Sequence, residues 1–178
     1  MKEQSRIKLR APEPADVDLL YSWENDRELW HMSNTKVPFS RFDLEQYVLS
    51  IERDIYATRQ ARFMIDLIST DETTETIGSI DLFDFDPANL RAGVGILIIS
   101  EKRKQGYAAE ALEQLLGYAF NILNLHQLYC NILENNQASL KLFQGKGFEI
   151  IGLKKDWIHT EGKWHNEYLL QLISNNNK

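Results

Sequence analysis

The sequence predicts a fold of the α/β (α+β) class, and three observations support this prediction. Three strand-like segments follow one another over residues 62–68, 76–85 and 91–100, separated only by polar turns. After Gly106, apolar residues recur at helical spacing for roughly four to five turns. Further strand and helix signals extend the order to β-α-α-β-β-β-α-β-α-β-β.

Length and composition set the expected size of the domain. The chain has 178 residues, of which 43% are hydrophobic. This is enough to bury one core but too little for two domains. We therefore expect a single domain over residues 1–178, with its core between about residues 6 and 173.

The N-terminal part predicts one strand and two helices. Ile7 and Leu9 alternate with charged residues and indicate a short strand. Asp16 can cap a first helix that continues to about residue 25. Ser40 and Asp43 have the spacing of a capping box and begin a second helix. The apolar positions of this second helix are Leu44, Tyr47, Val48, Ile51 and Ile55.

The remaining elements come from alternation and from helix-end signals. The three central segments have short connections, which favours an antiparallel meander. His126–Leu133 is predicted to be a strand, and Gln137–Lys146 a helix that Gly147 ends. Trp164–Ile173 alternates between apolar and polar residues and predicts a final strand.

Charge and residue usage exclude several classes of function. The chain has 20 Lys and Arg against 26 Asp and Glu, a net charge of -6, which argues against nucleic-acid binding and is compatible with a cationic substrate. No apolar run of about 18 residues could cross a membrane, and the first ten residues are charged, so we expect a cytoplasmic protein. The single Cys130 and four scattered histidines give no metal-site spacing, so we expect no metal.

The segment between the third central strand and the long helix points to an anion site. Residues 101–111, EKRKQGYAAEA, contain the pattern R-x-x-G-x-A. The N–H groups of a helix's first turn and the positive end of its dipole bind phosphate groups. Gly106 and Ala108 lack bulk where a pyrophosphate would touch the backbone, and residues 102–104 are all cationic. The local pattern is equally compatible with a solvated basic turn that caps a helix.

A second motif follows the first in the order and spacing of a known family. Asn136-Gln137-Ala138-Ser139 precedes Gly147-Phe148. Together with the R-x-x-G-x-A loop, they resemble the GNAT superfamily of acetyl-CoA-dependent N-acetyltransferases, and the resemblance covers about residues 6–173. Residues 119–129, AFNILNLHQLY, and 162–167, GKWHNE, are similar to the branch that holds spermidine/diamine acetyltransferases and ribosomal-protein N-terminal-alanine acetyltransferases.

This resemblance implies a fold and a binding mode for acetyl-CoA. The fold is a mixed, mostly antiparallel sheet of six to seven strands flanked by about four helices. The strand over residues 93–100 splays from the strand over 126–133, and the pantetheine arm lies between them like an extra strand. The implied acetyl-CoA contacts are backbone groups of Leu97, Ile98 and Ile99, the pyrophosphate loop Arg103, Lys104, Gln105, Gly106, Tyr107 and Ala108, and Asn136, Ser139 and Phe143 farther along.

Two positions depart from the pattern of the spermidine acetyltransferases. Those enzymes carry a tyrosine acid four residues before the Gly-Phe motif, where this chain has Phe143, and a glutamate on the fourth strand, where it has Gly93. The missing acid is tolerable, because a thiol with a pKa near 8.5 leaves as the thiolate. An alkylammonium acceptor with a pKa of about 10.4 still needs a base.

Asp81 and Asp84 are the candidate bases. They lie in one predicted strand, and alternation places them on opposite faces, so that one of them can reach the cleft. Desolvation in the cleft would raise the pKa of the carboxylate toward the range in which it can act as a general base. The competing interpretation is that Asp84 is a solvated carboxylate at the strand end and Asp81 a satisfied polar group.

Acidic and aromatic residues indicate the character of the acceptor. Residues 13–28 and 71–86 are rich in carboxylates, and Trp23, Trp30 and Phe39 lie near the first of these segments, where they could form cation–π contacts. A solvated helix face with core aromatics is the alternative interpretation.

The predicted function is acetyl-CoA-dependent N-acetylation of a primary amine, in the first place a small polyamine or diamine. A protein N-terminal amine, an amine antibiotic and a non-catalytic acyl-CoA-binding regulatory module stay open as alternatives. The expected partners are therefore a small cationic amine or a peptide amine, with a homo-oligomer left open, and neither nucleic acid nor a membrane.

Overall fold

A seven-stranded sheet organises the molecule. The computed structural model describes residues 5–27, 30, 37–49, 54–69, 73–160 and 162–174. The strands are β1 Ile7–Arg10, β2 Ala61–Ile68, β3 Thr74–Asp86, β4 Arg91–Ile98, β5 Gln127–Leu133, β6 Glu149–Thr160 and β7 Lys163–Ile173. Their order in the sheet is β1-β2-β3-β4-β5-β7-β6, and β4–β5 is the one parallel pair. The predicted mixed, mostly antiparallel sheet and the central meander are confirmed.

Helices cover both faces of this sheet. Within the described residues the α-helices are α1 Val17–Glu24, α2 Arg41–Leu49, α3 Ile55–Thr58, α4 Tyr107–Asn121 and α5 Gln137–Gly145, one more than the predicted four. The buried face of α4 packs on one side of the sheet through Ala111, Leu112, Leu115 and Ala119. A second cluster, on the other side, joins α1 and α2 to the sheet through Val17, Leu20, Leu44, Val48 and Met64. None of these described helices is long and apolar enough to span a membrane.

Several predicted boundaries differ from the observed ones, most by one or two residues, and two of the differences have an identifiable cause. The second helix ends at Leu49 rather than continuing to Ile55, and Ile51 lies outside the described residues. Ile55 instead begins the separate helix α3, because the Asp54 side chain caps it by accepting the Tyr56 N–H at 2.8 Å. The strand β4 ends at Ile98 rather than at residue 100, since a 3₁₀ turn over residues 100–102 follows.

Asp16 has a different role from the predicted helix cap. It precedes α1, but its carboxylate makes no capping bond to that helix. It accepts the Glu13 N–H at 2.8 Å and two bonds from the Arg10 guanidinium at 2.6 and 2.8 Å. Arg10 also binds Asp66 at 2.7 Å and Thr76 at 3.0 Å. Asp16 therefore joins a buried polar network that fastens the start of α1 to β1, β2 and β3.

The two parallel strands separate after a short stretch of pairing. β4 pairs with β5 only from Arg91 to Gly93, opposite Gln127 to Tyr129. Beyond this point β4 stays with β3 and β5 stays with β7. This confirms the predicted splaying and opens a gap in the middle of the sheet.

Candidate active site

A cleft of about 380 Å³ lies at the gap between β4 and β5. The end of β4, the turn before α4 and the start of α5 line it. Its lining residues are Ile96, Leu97, Ile98, Lys102, Arg103, Lys104, Gly106, Tyr107, Ala108, Ala109, Asn136, Ala138, Ser139 and Leu142. The cleft thus brings together nine of the twelve residues predicted to contact acetyl-CoA, and three stay outside its lining: Ile99, Gln105 and Phe143.

The backbone of β4 presents alternate residues to the cleft. The Ile99 N–H donates to the Ile77 carbonyl of β3 at 3.0 Å. β3 and β4 then keep an unshifted antiparallel register over six residue pairs, so their backbone groups alternate in direction. The N–H and C=O of Leu97 and the N–H of Ile99 thus point toward β3, whereas the N–H and C=O of Ile96 and Ile98 point toward the gap.

The turn before α4 is held in an unusual backbone conformation. Gly106 has φ of 91°, which favours glycine, and Lys104 has φ of 61°. Arg6 fastens this turn by donating from Nη2 to the Gln105 carbonyl at 3.1 Å, while its Nε donates to Glu110 at 2.8 Å. In the first turn of α4 the Ala109 N–H donates to the Gly106 carbonyl at 3.0 Å, so the N–H groups of Tyr107 and Ala108 are the ones that a helix start leaves for a ligand.

Two of the three predicted cations at this turn already bind other groups of the protein. Lys102 pairs with Glu75 at 2.6 Å. Arg103 donates from Nε to the Ile98 carbonyl at 2.8 Å. Both side chains line the cleft, but each already has a partner within the protein.

The start of α5 forms the opposite wall of the cleft. The Asn136 side chain caps this helix by accepting the Ser139 N–H at 3.1 Å. Phe143 lies one turn later, only 3% exposed, and its ring packs edge-on against Phe148 with centroids 5.0 Å apart. The residue at the position of the family's tyrosine acid is thus a core residue.

A second cavity of about 380 Å³ adjoins the cleft, and we call it the acceptor cavity. It lies between the sheet and helices α1 and α2, on the face opposite α4. Its lining residues are Trp23, Glu24, Tyr47, Gln60, Ala61, Arg62, Ser79, Asp81, Leu82, Phe83, Gly95, Ile96 and Leu97. The two cavities share Ile96 and Leu97, so they meet at β4.

Two carboxylates and one guanidinium meet in the acceptor cavity. Arg62 of β2 donates from Nε to Asp81 at 2.7 Å and from Nη1 to Glu24 of α1 at 2.6 Å. The ring of Tyr47 lies 5.6 Å from the guanidinium carbon. The three charged groups together carry a net charge of -1, which favours a cationic ligand.

Burial is the largest single influence on the pKa values of the groups in this cluster. Burial raises the pKa of the Asp81 carboxyl, although the charge and hydrogen bonds of Arg62 oppose the shift. Burial also raises the pKa of the Tyr47 hydroxyl. For Arg62, burial works against the charged form, but Asp81 outweighs it and raises the guanidinium pKa. Arg62 therefore stays charged, while Asp81 becomes a stronger base than an ordinary aspartate.

Asp84 does not join Asp81 in the cavity. It has φ of 49° within a bulge of β3, where the register with β4 shifts, so strand alternation does not apply there. Its carboxylate accepts the hydroxyl of Tyr129 at 3.2 Å. Burial and the Asp84 charge raise the pKa of Tyr129 to about 12. Of the two predicted bases, the structure brings only Asp81 to the acceptor cavity.

The ring of Phe83 fills the space beside Gly93, the position of the family's glutamate. A Cβ atom on Gly93 would lie 2.3 Å from Cε2 of Phe83. The family glutamate could therefore not fit here without moving Phe83.

Six of the nine described acids in the acid-rich segments form ion pairs within the fold. Asp16 pairs with Arg10, Asp18 with Arg41, Glu75 with Lys102 and Asp86 with Arg91, while Glu24 and Asp81 share Arg62. Glu28, Asp71 and Glu72 lie outside the described residues. Of the three aromatic candidates, all of them described residues, only Trp23 lines the acceptor cavity. The Trp30 Nε1 donates to the Glu24 carbonyl at 2.8 Å, and the Phe39 N–H donates to the Asn25 side chain at 2.9 Å.

Sequence reasoning missed Arg62 and Tyr47 as residues of this cavity. Arg62 opens a predicted strand whose other residues are apolar except for Asp66, which could have marked it as a buried cation in need of a carboxylate. Tyr47 was predicted only as an apolar helix position. The pairing of β2 with β3, which places Arg62 opposite Asp81, cannot be read from either residue alone.

Comparisons with known proteins agree with this geometry. The chain is 29% identical over 169 residues to an uncharacterized N-acetyltransferase, p20, of Bacillus licheniformis, covering 94% of this chain and 93% of that protein. It is 26% identical over 174 residues to the spermidine N(1)-acetyltransferase of Vibrio cholerae, covering 94% of both. The crystal structure of the Vibrio cholerae spermidine N-acetyltransferase in complex with CoA and spermine superposes with a TM-score of 0.83 at 22% identity, covering 96% of both chains.

A family match covers most of the chain. Residues 6–149 match the family described as the acetyltransferase (GNAT) domain. The chain therefore belongs to the GNAT family of acetyltransferases.

Proposed function

We propose that this acetyltransferase transfers the acetyl group of acetyl-CoA to the primary amine of a small polyamine or diamine. The observation that carries the proposal is the junction at Ile96 and Leu97 of two cavities with different chemistry. One is a cleft with a helix N-terminus, and the other holds two carboxylates, one guanidinium and three aromatic side chains. A thioester donor and a cationic amine would therefore meet at β4. The Vibrio cholerae relatives, named for spermidine, support this acceptor class.

In this proposal acetyl-CoA, which supplies the acetyl group as a thioester, occupies the cleft. The first-turn N–H groups near Gly106, Tyr107 and Ala108 face the pyrophosphate, as helix starts suit anions. Ile98 lies along the arm, and Asn136 and Ser139 form the other wall. Ile99, Gln105 and Phe143 are left out of the contact set, because they do not line the cleft.

Asp81 is the proposed general base. An alkylammonium group has a pKa of about 10.4 and must lose a proton before its nitrogen can attack. Asp81 lines the acceptor cavity directly opposite Gly95 on β4, one residue from the junction at Ile96. Its raised pKa makes it a better proton acceptor, and Arg62 fixes its orientation.

The N–H of Ile96 is the proposed donor to the carbonyl oxygen under attack. It faces the gap where both cavities meet, and a fixed donor aimed at developing negative charge stabilises a tetrahedral intermediate. The departing thiol, with a pKa near 8.5, needs no proton from a side chain at the position of Phe143.

Thiol release from acetyl-CoA tests the proposal. The purified protein would be assayed against spermidine, spermine, short diamines, basic peptides with free N-termini and aminoglycosides, with cofactor affinity measured by calorimetry on the same sample. We expect turnover with the small amines and much slower turnover with peptides. Turnover with peptides alone would favour the N-terminal-amine alternative, and acetyl-CoA binding without any turnover would favour a regulatory module.

We further propose that the chain forms a homo-oligomer. The β6–β7 hairpin exposes Ile151, Leu153, Trp157 and Trp164 by 40 to 61%, and such apolar surface is typical of interfaces. A dodecameric structure of the Vibrio cholerae relative superposes with a TM-score of 0.78. Light scattering of the full chain tests this proposal, and a monomer at micromolar concentration would contradict it.

A further inference from the structure

We propose that Phe83 is the end wall of the acceptor cavity and sets the length of amine that the enzyme accepts. The inference rests on the proposed acceptor class and extends it to a specificity-determining residue. Phe83 and Asp81 both line the cavity from β3. They are two residues apart on the same face of the strand, so the wall stands about 7 Å from the proposed base.

The glycines of β4 hold the ring in place. A Cβ atom on Gly93 would lie 2.3, 2.5 and 2.8 Å from three ring atoms of Phe83, and one on Gly95 would lie 3.8 Å from Cε1. The ring therefore rests on strand backbone that carries no side chains. On its far side the ring packs edge-on against Tyr129, with centroids 6.0 Å apart and an interplanar angle of 81°.

A carboxylate lies behind this wall. Tyr129 donates its hydroxyl to Asp84 at 3.2 Å, and neither residue lines the acceptor cavity. Asp84 is exposed, on the bulge next to Phe83 in the chain. The aromatic ring thus separates the Glu24–Arg62–Asp81 cluster from a second anionic group on the same side of the sheet.

The wall has a definite consequence for the acceptor. A short amine can place its reacting nitrogen near Asp81 with its chain against the ring, whereas a longer chain meets the ring and must bend or stay outside. Truncation of Phe83 would extend the cavity toward Tyr129 and Asp84. A second ammonium group on a long diamine could then pair with Asp84.

The test is kcat/KM for a series of linear diamines with three to eight methylene groups and for monoamines of matching length. We expect Phe83→Ala to raise the long-to-short ratio of kcat/KM at least about tenfold, because one methylene in an apolar pocket is worth roughly 10- to 200-fold. The gain should be larger for diamines than for monoamines. In the double variant Phe83→Ala/Asp84→Asn, the long-to-short ratio of kcat/KM for diamines should fall to that for monoamines. The increase that both series owe to the deeper cavity should remain.

Two further variants keep the test decisive if Phe83→Ala does not fold. Phe83→Leu keeps an apolar wall and should leave the ratio close to that of the wild type. Gly93→Ala pushes the ring away from β4 and should lower kcat/KM more for long amines than for short ones. An unchanged ratio in folded Phe83→Ala, or in Gly93→Ala where the first is unstable, would overturn the inference. A wild-type enzyme inactive on every amine would instead refute the proposed function.

Discussion

Arg62 holds both oxygens of Asp81, with Nε donating to Oδ1 at 2.7 Å and Nη2 donating to Oδ2 at 3.3 Å. The remaining terminal nitrogen, Nη1, binds Glu24 at 2.6 Å. One guanidinium from β2 therefore orients a carboxylate of β3 and a carboxylate of α1 inside one cavity. The fixed fork of arginine suits this role, because lysine cannot reproduce the two parallel bonds.

Asp81→Asn should lower kcat by about 100- to 10,000-fold, the usual contribution of a positioned base. The amide keeps the size of the side chain and can still accept a bond from Arg62, so the fold should be retained. The measurement is steady-state thiol release with spermidine, with acetyl-CoA affinity as the control that should not change. Glu24→Gln is the matched variant, and it should act mainly on KM for the amine. Equal kcat in wild type and Asp81→Asn would remove Asp81 from the chemistry.

Replacing Arg62 should move the pH profile of the enzyme. Among the residues that the structure describes, the charged or titratable groups that interact with Asp81 are Arg62, Glu24 and Tyr47. In Arg62→Met, burial raises the pKa of Asp81 without opposition, so the base stays protonated to higher pH. The acid limb of the kcat/KM profile should therefore move to higher pH. Arg62→Lys, which keeps a positive charge beside Asp81, should show a smaller shift. An acid limb that does not move in Arg62→Met would contradict this assignment, whereas a purely structural loss would lower the rate equally at every pH.

Gly106→Glu should abolish acetyl-CoA binding. Two like charges about 4 Å apart near a protein surface repel by about 4 kcal/mol, which corresponds to an affinity loss of about a thousandfold. Because Gly106 has φ of 91°, every other residue carries some backbone strain there. Gly106→Asn is the matched control, since asparagine tolerates this conformation and adds no charge. Calorimetry that finds wild-type affinity in a folded Gly106→Glu variant would refute the cofactor site.

Asp16→Asn should destabilise the fold by about 3 kcal/mol at neutral pH, because it breaks a buried ion pair with Arg10. Burial alone would raise the pKa of Asp16, but the bonds from Arg10 and Glu13 outweigh it and hold the pKa below 3.8. The charged form is therefore favoured in the folded state. This contribution is complete above pH 3.8 and is lost as the pH falls through the lowered folded-state pKa.

Urea unfolding of wild type and Asp16→Asn at several pH values measures this difference. The gap in unfolding free energy should be constant near neutrality and should narrow in acid. Asp18→Asn is the control, since the Asp18 side chain is 78% exposed and its pair with Arg41 should contribute less than about 1 kcal/mol. A difference in unfolding free energy that widens in acid would show that folding does not lower the pKa of Asp16.

Cys130 should not react with thiol reagents in the folded protein. It is 1% exposed, and burial raises its pKa to about 12, so almost no thiolate forms at neutral pH. Titration with a chromogenic disulfide should find no reactive thiol in the native chain and one after denaturation. Fast reaction of the native protein would contradict the packing of β5, and it would also add a background to thiol-release assays.

Local patterns were sufficient to predict most of the fold. Alternation and helical spacing are short-range properties, so the β2–β3–β4 meander and the α4 helix could be read directly from the sequence. Two of the differing boundaries depend on a side-chain cap at Asp54 and on a 3₁₀ turn after Ile99, which apolar periodicity does not register.

The candidate site was harder to predict, because its parts come together only in three dimensions. The anion-binding loop is contiguous in sequence and could be recognised. By contrast, Arg62 meets Asp81 because β2 and β3 pair in this register. Glu24 of α1 meets Arg62 of β2 because the helix packs on the sheet. Asp84 was predicted on the basis of alternation, which the bulge in β3 interrupts. The direction of backbone groups at Ile96, Leu97 and Ile98 likewise depends on the register with β3.

The most direct test of the account is a competition for acetyl groups. Wild-type protein would be incubated with acetyl-CoA and an equimolar mixture of spermidine, 1,5-diaminopentane and a basic peptide with a free N-terminus, and the products identified by mass spectrometry. The account predicts monoacetylated small amines, an unmodified peptide, and loss of product in Asp81→Asn. Acetylation of the peptide in preference to both amines, or equal product from Asp81→Asn, would contradict it.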